Sequence, residues 1–389
     1  MVIIRSLLLF CFFAATAIAC FAQEKNKQLF TSGWKFILDS ANDYRKPDAD
    51  DSRWRTLNLP HDWSIELPFD STSPTGTGGG ALRGGVGWYR KTFILPDADK
   101  LKTFFIDFDG VYCNSEVWIN GHYLGKRPNG YISFRYELTT FLKFGNAKNV
   151  IAVKVDNSKQ PNSRWYSGSG MYRNVWLIKT NPVYTDHWGT FVTTPSVNEK
   201  KATVNIKSRF VNAYDSGIPI TLSISLVDAN NKEVAVKFVP GLKTGAAKEV
   251  ELSFTINNPQ LWSIEHPYLY RAITRLSVNS KVVDEYTTPF GIRYFHFDPE
   301  KGFALNGKPV KIIGVCNHHD LGCLGTAINT RALERQLEIL KGIGINGIRT
   351  SHNPPAPELL DLCDKMGFIV MDEAFDIWKL EKNKYDYHL

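Results

Sequence analysis

Cysteine is scarce. The 389 residues hold six, and two of these, Cys11 and Cys20, fall in the first twenty-two. The remaining four, Cys113, Cys316, Cys323 and Cys363, are too few and too scattered for a disulfide framework. Cys363 falls on an apolar helix face, Cys316 and Cys323 could pair only if the loop between them folded back, and a buried, inert thiol is expected for each. Charge of one sign is not concentrated either. The formal net charge of +7 is spread along the chain, which gives nucleic acid or a membrane surface no patch to bind and leaves a solvated surface as the expectation. There is no internal repeat and no low-complexity tract. The one long apolar run, Leu7 to Ala19, follows Arg5 and ends among Ala17, Ala19 and Ala22. It is too short and wrongly flanked for a membrane span and reads as a secretory signal peptide over residues 1–22, with cleavage after Ala19 or after Ala22. An exported, periplasmic protein is expected. Cys20 beside Ala19 leaves a lipid-anchored N-terminus open, although Ala17 is a poor start for a lipobox.

Strand-like runs and aromatic residues are plentiful. At this length the prior is two or three domains. In residues 24–183, Phe104, Ile106 and Phe108 alternate with Phe105, Asp107 and Asp109. Ile151, Val153 and Val155 alternate with Ala152, Lys154 and Asp156. Period two argues antiparallel sheets with one buried face. Asn120-Gly121 is a hairpin signal, because a two-residue turn of that type needs positive φ. The glycine-rich stretch Gly76 to Gly87 fits either a linker or a loop that closely approaches a neighbour. In residues 184–294 the apolar stripes are Ala202, Val204, Ile206; Ile220, Leu222, Ile224, Leu226; and Val250, Leu252, Phe254, Ile256. Their spacing fits an immunoglobulin-like β-sandwich without a cysteine pair.

Residues 296–389 change character. Strand-like runs at Pro309 to Val315, Ile345 to Arg349 and Phe368 to Met371 each end in a polar cluster: His318, His319, Asp320; then Ser351, His352, Asn353; then Asp372, Glu373. Between the first two lies a predicted helix with Leu333, Leu337 and Leu340 on one face and Arg331, Glu334 and Arg335 outside. Between the last two lies another with Leu359, Leu362, Cys363 and Met366, for which Asn353 is the expected N-cap and Pro354 or Pro355 the expected first turn. Strand, helix, strand, helix, strand is the repeat of a parallel α/β fold. In a closed (β/α)₈ TIM barrel the C-terminal strand ends meet at one rim, where the chemistry is done. The sequence supplies three strands of such a barrel, so the barrel is expected to be incomplete in this chain. Its edge at Phe368 to Met371 would carry unpaired backbone groups, Ile312, Val315, Ile348 and Val370 would lack an opposing inward layer, and residues 296–389 would be the least stable part.

Several motifs, in order, carry a resemblance to a known family. They are Gly85-Val86-Gly87-Trp88-Tyr89-Arg90, Phe108-Asp109-Gly110-Val111, Val117-Trp118-Ile119-Asn120-Gly121, Ser169-Gly170-Met171-Tyr172-Arg173-Asn174-Val175, Leu261-Trp262-Ser263, Pro267-Tyr268-Leu269-Tyr270 and Leu305-Asn306-Gly307-Lys308. Together they resemble glycoside hydrolase family 2, the group of the β-galactosidases, β-glucuronidases and β-mannosidases, over nearly all of residues 24–389. The resemblance implies a jelly-roll sugar-binding domain, an immunoglobulin-like sandwich and a catalytic TIM barrel. It also implies a retaining exo-glycosidase in carbohydrate metabolism, with two glutamates roughly 5–5.5 Å apart. The family draws those glutamates from the fourth and seventh barrel strands, so no catalytic residue is expected before Leu389.

The resemblance further implies roles at the rim. Arg349-Thr350-Ser351-His352-Asn353-Pro354 is similar to the second-strand motif, whose histidine contacts a sugar hydroxyl, a role carried onto His352; capping the following helix is the alternative. Gly314-Val315-Cys316-Asn317-His318-His319-Asp320 is similar to the first-strand motif, with His318 at the family's histidine. His319 stands where many members have glutamate. A metal reading of His318, His319, Asp320 and His352 stays open, although adjacent histidines seldom aim at one ion. Asp372-Glu373-Ala374-Phe375-Asp376-Ile377-Trp378 is similar to the third-strand motif and points most closely to β-galactosidase-like members. Asp372 and Glu373, adjacent on a strand, point to opposite sides and cannot be a retaining pair. One would hold Arg349, the other would face the sugar, and Trp378 would offer a ring face or stand exposed in its loop. Arg164, Trp165 and Tyr166 would shape the sugar site or pack domains together. The substrate-binding set is thus His318, His352, Asn353, Asp372, Glu373 and Trp378. The expected partner is a β-galactoside-type glycan, with no cofactor, nucleic acid or membrane span. A non-catalytic carbohydrate-binding or scaffold protein is the rival reading.

Overall fold

The computed structural model describes residues 26–214, 218–242, 248–376 and 380–385. The leader, Cys20 and Trp378 lie outside them. Ten strands build the first unit: β1 (Lys27–Leu29), β2 (Trp34–Leu38), β3 (Arg55–Leu57), β4 (Gly85–Phe93), β5 (Thr103–Phe108), β6 (Ser115–Ile119), β7 (His122–Arg127), β8 (Phe134–Glu137), β9 (Asn149–Asn157) and β10 (Val175–Thr180). They form antiparallel sheets in the orders β1-β10-β5-β8 and β3-β2-β4-β9-β6-β7. The predicted alternation is what joins them. Phe104, Ile106 and Phe108 meet Ile151, Val153 and Val155 in one core, while Phe105, on the other face of β5, packs with Ile178 and Tyr184. The β6–β7 hairpin turns at Asn120 and Gly121, with φ of +50° and +84°. The glycine-rich stretch is a packed loop rather than a linker: a side-chain carbon at Gly84 would come within 2.0 Å of the Asn157 carbonyl oxygen.

Asp109, at the end of β5, is buried and accepts a hydrogen bond from Trp176 Nε1 at 2.7 Å. Burial pushes its carboxyl up to about 6 despite that bond. The folded value lies above the unfolded one, so the stabilisation is full below about pH 4 and is lost as pH rises through about 6. Asp109→Asn keeps the acceptor without the charge. It is expected to gain roughly 1–3 kcal/mol at pH 7.5 and nothing at pH 3.5, read as thermal unfolding of the first unit against pH.

The second unit is a seven-strand sandwich: β11 (Val183–Val197), β12 (Lys201–Asn212), β13 (Ile220–Val227), β14 (Glu233–Leu242), β15 (Lys248–Asn257), β16 (Leu269–Val278) and β17 (Lys281–Gly291). Its sheets run β11-β12-β15 and β14-β13-β16-β17. The stripes from β12, β13 and β15 close its core with Tyr270, Leu276 and Ile292.

A small antiparallel sheet, β18 (Phe295–Asp298), β19 (Gly302–Leu305) and β20 (Lys308–Pro309), leads into the barrel portion. There β21 (Gly314–Asn317), α1 (Thr330–Gly342), β22 (Gly347–Thr350), α2 (Pro357–Met366) and β23 (Ile369–Met371) form three parallel strands with two helices. The first barrel strand thus starts later than Pro309, which is spent in the hairpin sheet with β19. Asn329 caps α1 by accepting from Ala332 N at 3.0 Å. Asn353 does not cap α2. A residue preceding proline avoids helical backbone, and Pro354, Pro355 and Pro357 hold the chain extended until Ala356, so α2 begins at Pro357.

The inward layer is also corrected. Val315, Ile348 and Val370 lie side by side across the sheet, but they pack with Leu333, Leu337, Leu359 and Leu362 of the helices. Since side chains alternate along a strand, Cys316, Arg349 and Met371 occupy the opposite face. None of the four cysteines forms a disulfide; Cys113 and Cys363 are buried as expected, whereas Cys316 and Cys323 are exposed. Among the described residues no helix is long and apolar enough to cross a membrane.

Candidate functional site

The three parallel strands deliver their C-terminal ends to one place, and a carboxylate organises it. One oxygen of Glu373 accepts from Arg349 Nε, and the other lies 2.7 Å from His352 Nδ1. Burial raises the Glu373 carboxyl, but hydrogen bonds from His352 and Arg349, with their charges, outweigh it and hold the group below the usual carboxylate range. An ionised carboxylate only accepts, so His352 Nδ1 carries the proton and Nε2 is left for a ligand. Thr350 Oγ1 receives the Glu373 N–H at 3.0 Å and donates to Asp372 at 3.2 Å. Of the adjacent pair, therefore, Glu373 holds Arg349 and Asp372 stays exposed.

A loop of the first sandwich forms the wall. Trp165 stacks on His318 with ring centroids 5.6 Å apart and meets His352 edge-on at 5.3 Å; His318 and His352 are themselves 5.6 Å apart. Burial, aided by His352, lowers His318, so it is neutral at neutral pH and can donate and accept. Next to Trp165, Arg164 pairs with Asp376 beyond β23. Arg349 also donates to the Cys316 sulfur at 3.5 Å and thereby lowers that thiol.

The structure brings His318, His352, Asp372 and Glu373 to this rim and sets two other residues apart. Asn353 is buried with its side-chain nitrogen unpartnered. It lines a cavity with His318, His319, Leu333, Gln336 and Leu359. His319 packs between Tyr131 and Tyr172 of the first sandwich, with Nε2 3.3 Å from the Ser167 carbonyl. Burial, with Arg173 nearby, pushes it down to about 3. It is a neutral interface residue. Among the described residues no group of three or more His, Cys, Asp or Glu could hold a metal ion.

Two residues assigned no role from the sequence fix the rim to the first sandwich. Asp62, 2% exposed, accepts from Ser64 N, Ser169 N, Tyr166 Oη and both Thr326 N and Oγ1, at 2.7–3.0 Å. Arg173 donates to the carbonyls of Tyr131, Pro354 and Pro355 at 2.8–3.1 Å, holding the segment after His352. Trp165 had an ambiguous sequence signal, an aromatic among polar loop residues. Asp62 had none and Arg173 only its place in the Ser169 to Val175 motif, since their partners lie far away in the sequence.

Two β-sandwiches feed a parallel α/β rim on which an aromatic wall stands over a histidine–carboxylate cluster, the layout of a barrel protein with accessory sandwiches. Family models match in that order: the sugar binding domain of glycosyl hydrolases family 2 over residues 30–182, glycosyl hydrolases family 2 over 187–293, and the family's TIM barrel domain over 299–380. The chain belongs to glycoside hydrolase family 2. It is 57% identical over 360 residues to the β-galactosidase BoGH2A of Bacteroides ovatus, covering 92% of this chain and 42% of that protein. It is 44% identical to a putative β-glucuronidase of Formosa agariphila, covering 90% of this chain and 33% of that one. Among solved structures, a family 2 member from Bacteroides cellulosilyticus superposes with a TM-score of 0.89 at 42% identity, covering 93% of this chain and 47% of that one. The chain thus spans less than half the length of these relatives.

Proposed function

We propose that this chain is the sugar-holding N-terminal part of an exported, retaining β-glycosidase that removes terminal β-galactosides. His318, His352, Asp372 and Glu373 bind the sugar at the barrel rim and Trp165 walls it. The carrying observation is the Glu373–His352–Arg349 cluster beneath Trp165, an ordered array of donors and acceptors against an aromatic face, which is what a polyol with an apolar ring face needs. The two cleaving carboxylates are assigned to later barrel strands. A neutral sugar is favoured over a glucuronide because the rim guanidiniums already carry carboxylate partners, Arg349 with Glu373 and Arg164 with Asp376. A glucuronate would have to displace one of them. The compartment follows the leader read at residues 1–22, with a lipid anchor at Cys20 as the variant.

The test is to read the encoding DNA past codon 389 and express the whole frame. A continuous frame supplying the remaining strands, with a product that cleaves an aryl β-galactoside at least tenfold faster than the β-glucuronide, is expected. A stop codon at 390 would favour a non-catalytic carbohydrate-binding protein, and the reverse preference would favour a β-glucuronidase.

A further inference from the structure

β11 breaks its pairing with β12 between Thr185 and Thr190, where five steps along β11 pass only two, Phe210 to Ser208, on its partner. The excursion is built rather than frayed. Gly189 is at close approach, where a side-chain carbon would sit 2.4 Å from the Arg209 carbonyl oxygen. Trp188 takes φ of +50°, a left-handed conformation that is costly for a bulky side chain. Its ring stacks on His187 with centroids 4.2 Å apart and planes 26° apart, yet Trp188 remains 68% exposed. One ring face is therefore held by the protein and the other is open to solvent. A strained backbone that displays a tryptophan outward contributes nothing to a core.

Below the ring lies a cleft between the two sandwiches. Arg135 grips Asp107 with two bonds, Nε–Oδ1 at 2.6 Å and Nη2–Oδ2 at 2.8 Å, and lies over the Phe105 ring. Asp107 Oδ2 is 3.9 Å from His187 Nδ1. Asp186 receives the His187 N–H at 2.7 Å and pairs with Arg209 at 2.7 Å. Asp107 is matched by Arg135, Asp186 by Arg209 and Glu285 by Arg275, while Asp284 is bonded to Asn26 and Thr185 and Lys27 lies over the Trp176 ring, so the cleft offers oriented donors and acceptors whose charges are mostly paired. Such groups suit hydroxyls better than ions, and an indole face suits the apolar face of a pyranose ring.

We propose that this cleft is a second carbohydrate-binding site, sharing no residue with the barrel rim, that takes a neutral oligosaccharide. Trp188 is the stacking platform, and Asp107, Arg135 and Asp186 are the hydroxyl partners. The proposal rests on reading the protein as one that acts on glycans. It is tested by calorimetric titration of β-1,4-galactotetraose, cellotetraose and xylotetraose into chain 1–389, its Trp188→Ala and Trp188→Phe variants, and a rim variant, His352→Ala with Glu373→Gln. At least one sugar is expected to bind the rim variant with undiminished affinity. Trp188→Ala should weaken that binding by about tenfold or more and Trp188→Phe should restore part of it, with unchanged thermal unfolding for both. The same sugar should shield Trp188 fluorescence from iodide. Loss of all binding in the rim variant, indifference to Trp188→Ala, or no saturable binding of any of the three sugars would overturn the second site. Cleavage of aryl glycosides by the whole frame reports separately on the glycosidase reading.

Discussion

Replacing Asp62 with alanine is expected to destabilise the contact between the first sandwich and the barrel portion by about 3–5 kcal/mol. The side chain is the common acceptor for five donors, two of them on Thr326 of the loop after β21 and the rest from residues 64–169. Alanine would leave those donors buried and unpaired, which costs more than never having made the bonds. Nothing can shift in to replace the carboxylate. Gly168 and Gly325 crowd it from both sides, at φ of +67° and +58°, and a side-chain carbon on either would lie 2.5 Å from Asp62 Oδ2. Asparagine is no rescue, because its amide group would turn two donors toward existing ones. The measurement is hydrogen exchange with thermal unfolding. Protection over residues 314–330 should fall, while the second sandwich, whose core is built without this contact, should keep its own. Equal protection of residues 314–330 in wild type and variant would show that other contacts, such as Arg173 with Pro354 and Pro355, suffice.

The sandwiches were legible because a strand with one wet face must alternate, and β12, β13 and β15 bury the residues that the alternation marks. The Asn120-Gly121 turn was legible because few residues take positive φ there. Helix α1 could be read from its leucines. The start of α2 was misread because Pro354 and Pro355 suit a first helical turn as well as an extended lead-in, and each also keeps the residue before it out of helical backbone, so that α2 begins only at Pro357. Inside and outside of the barrel strands were exchanged for a related reason: an apolar residue in a parallel strand fits either face, and a shift of one residue exchanges them. At the rim, His318, His352 and Glu373 could be named because strand ends in this fold converge by geometry. Trp165, Asp62 and Arg173 reach the barrel from loops of another domain, and no periodicity in the chain encodes that. Trp188 escaped notice because its exposure comes from a break in strand pairing, which depends on the partner strand as much as on its own sequence.

Purified chain 1–389 is expected to hydrolyse an aryl β-galactoside no faster than buffer does. Retaining hydrolysis needs a carboxyl that keeps its proton at working pH beside a second, ionised one roughly 5–5.5 Å away. Two carboxyls at the rim, Glu373 and Asp376, are tuned the wrong way for the first of these. Glu373 is held low by His352 and Arg349 against the effect of its burial. At Asp376 burial again works upward and is outweighed by Arg164 and Lys382, so the group ends low. The aspartates that burial does raise lie elsewhere, Asp109 and Asp284 in the sandwiches and Asp361 and Asp364 on α2. Glu373 and Asp376, held ionised and hydrogen-bonded, can orient hydroxyls but have no proton to give a leaving group. Galactose should therefore still bind, weakly, and Glu373→Gln should weaken that binding by about tenfold through loss of the Arg349 and His352 partners. Turnover above the buffer rate that Glu373→Gln abolishes would mean that Glu373 is itself a catalytic group, and the division between holding and cleaving drawn from its partners would have to be given up.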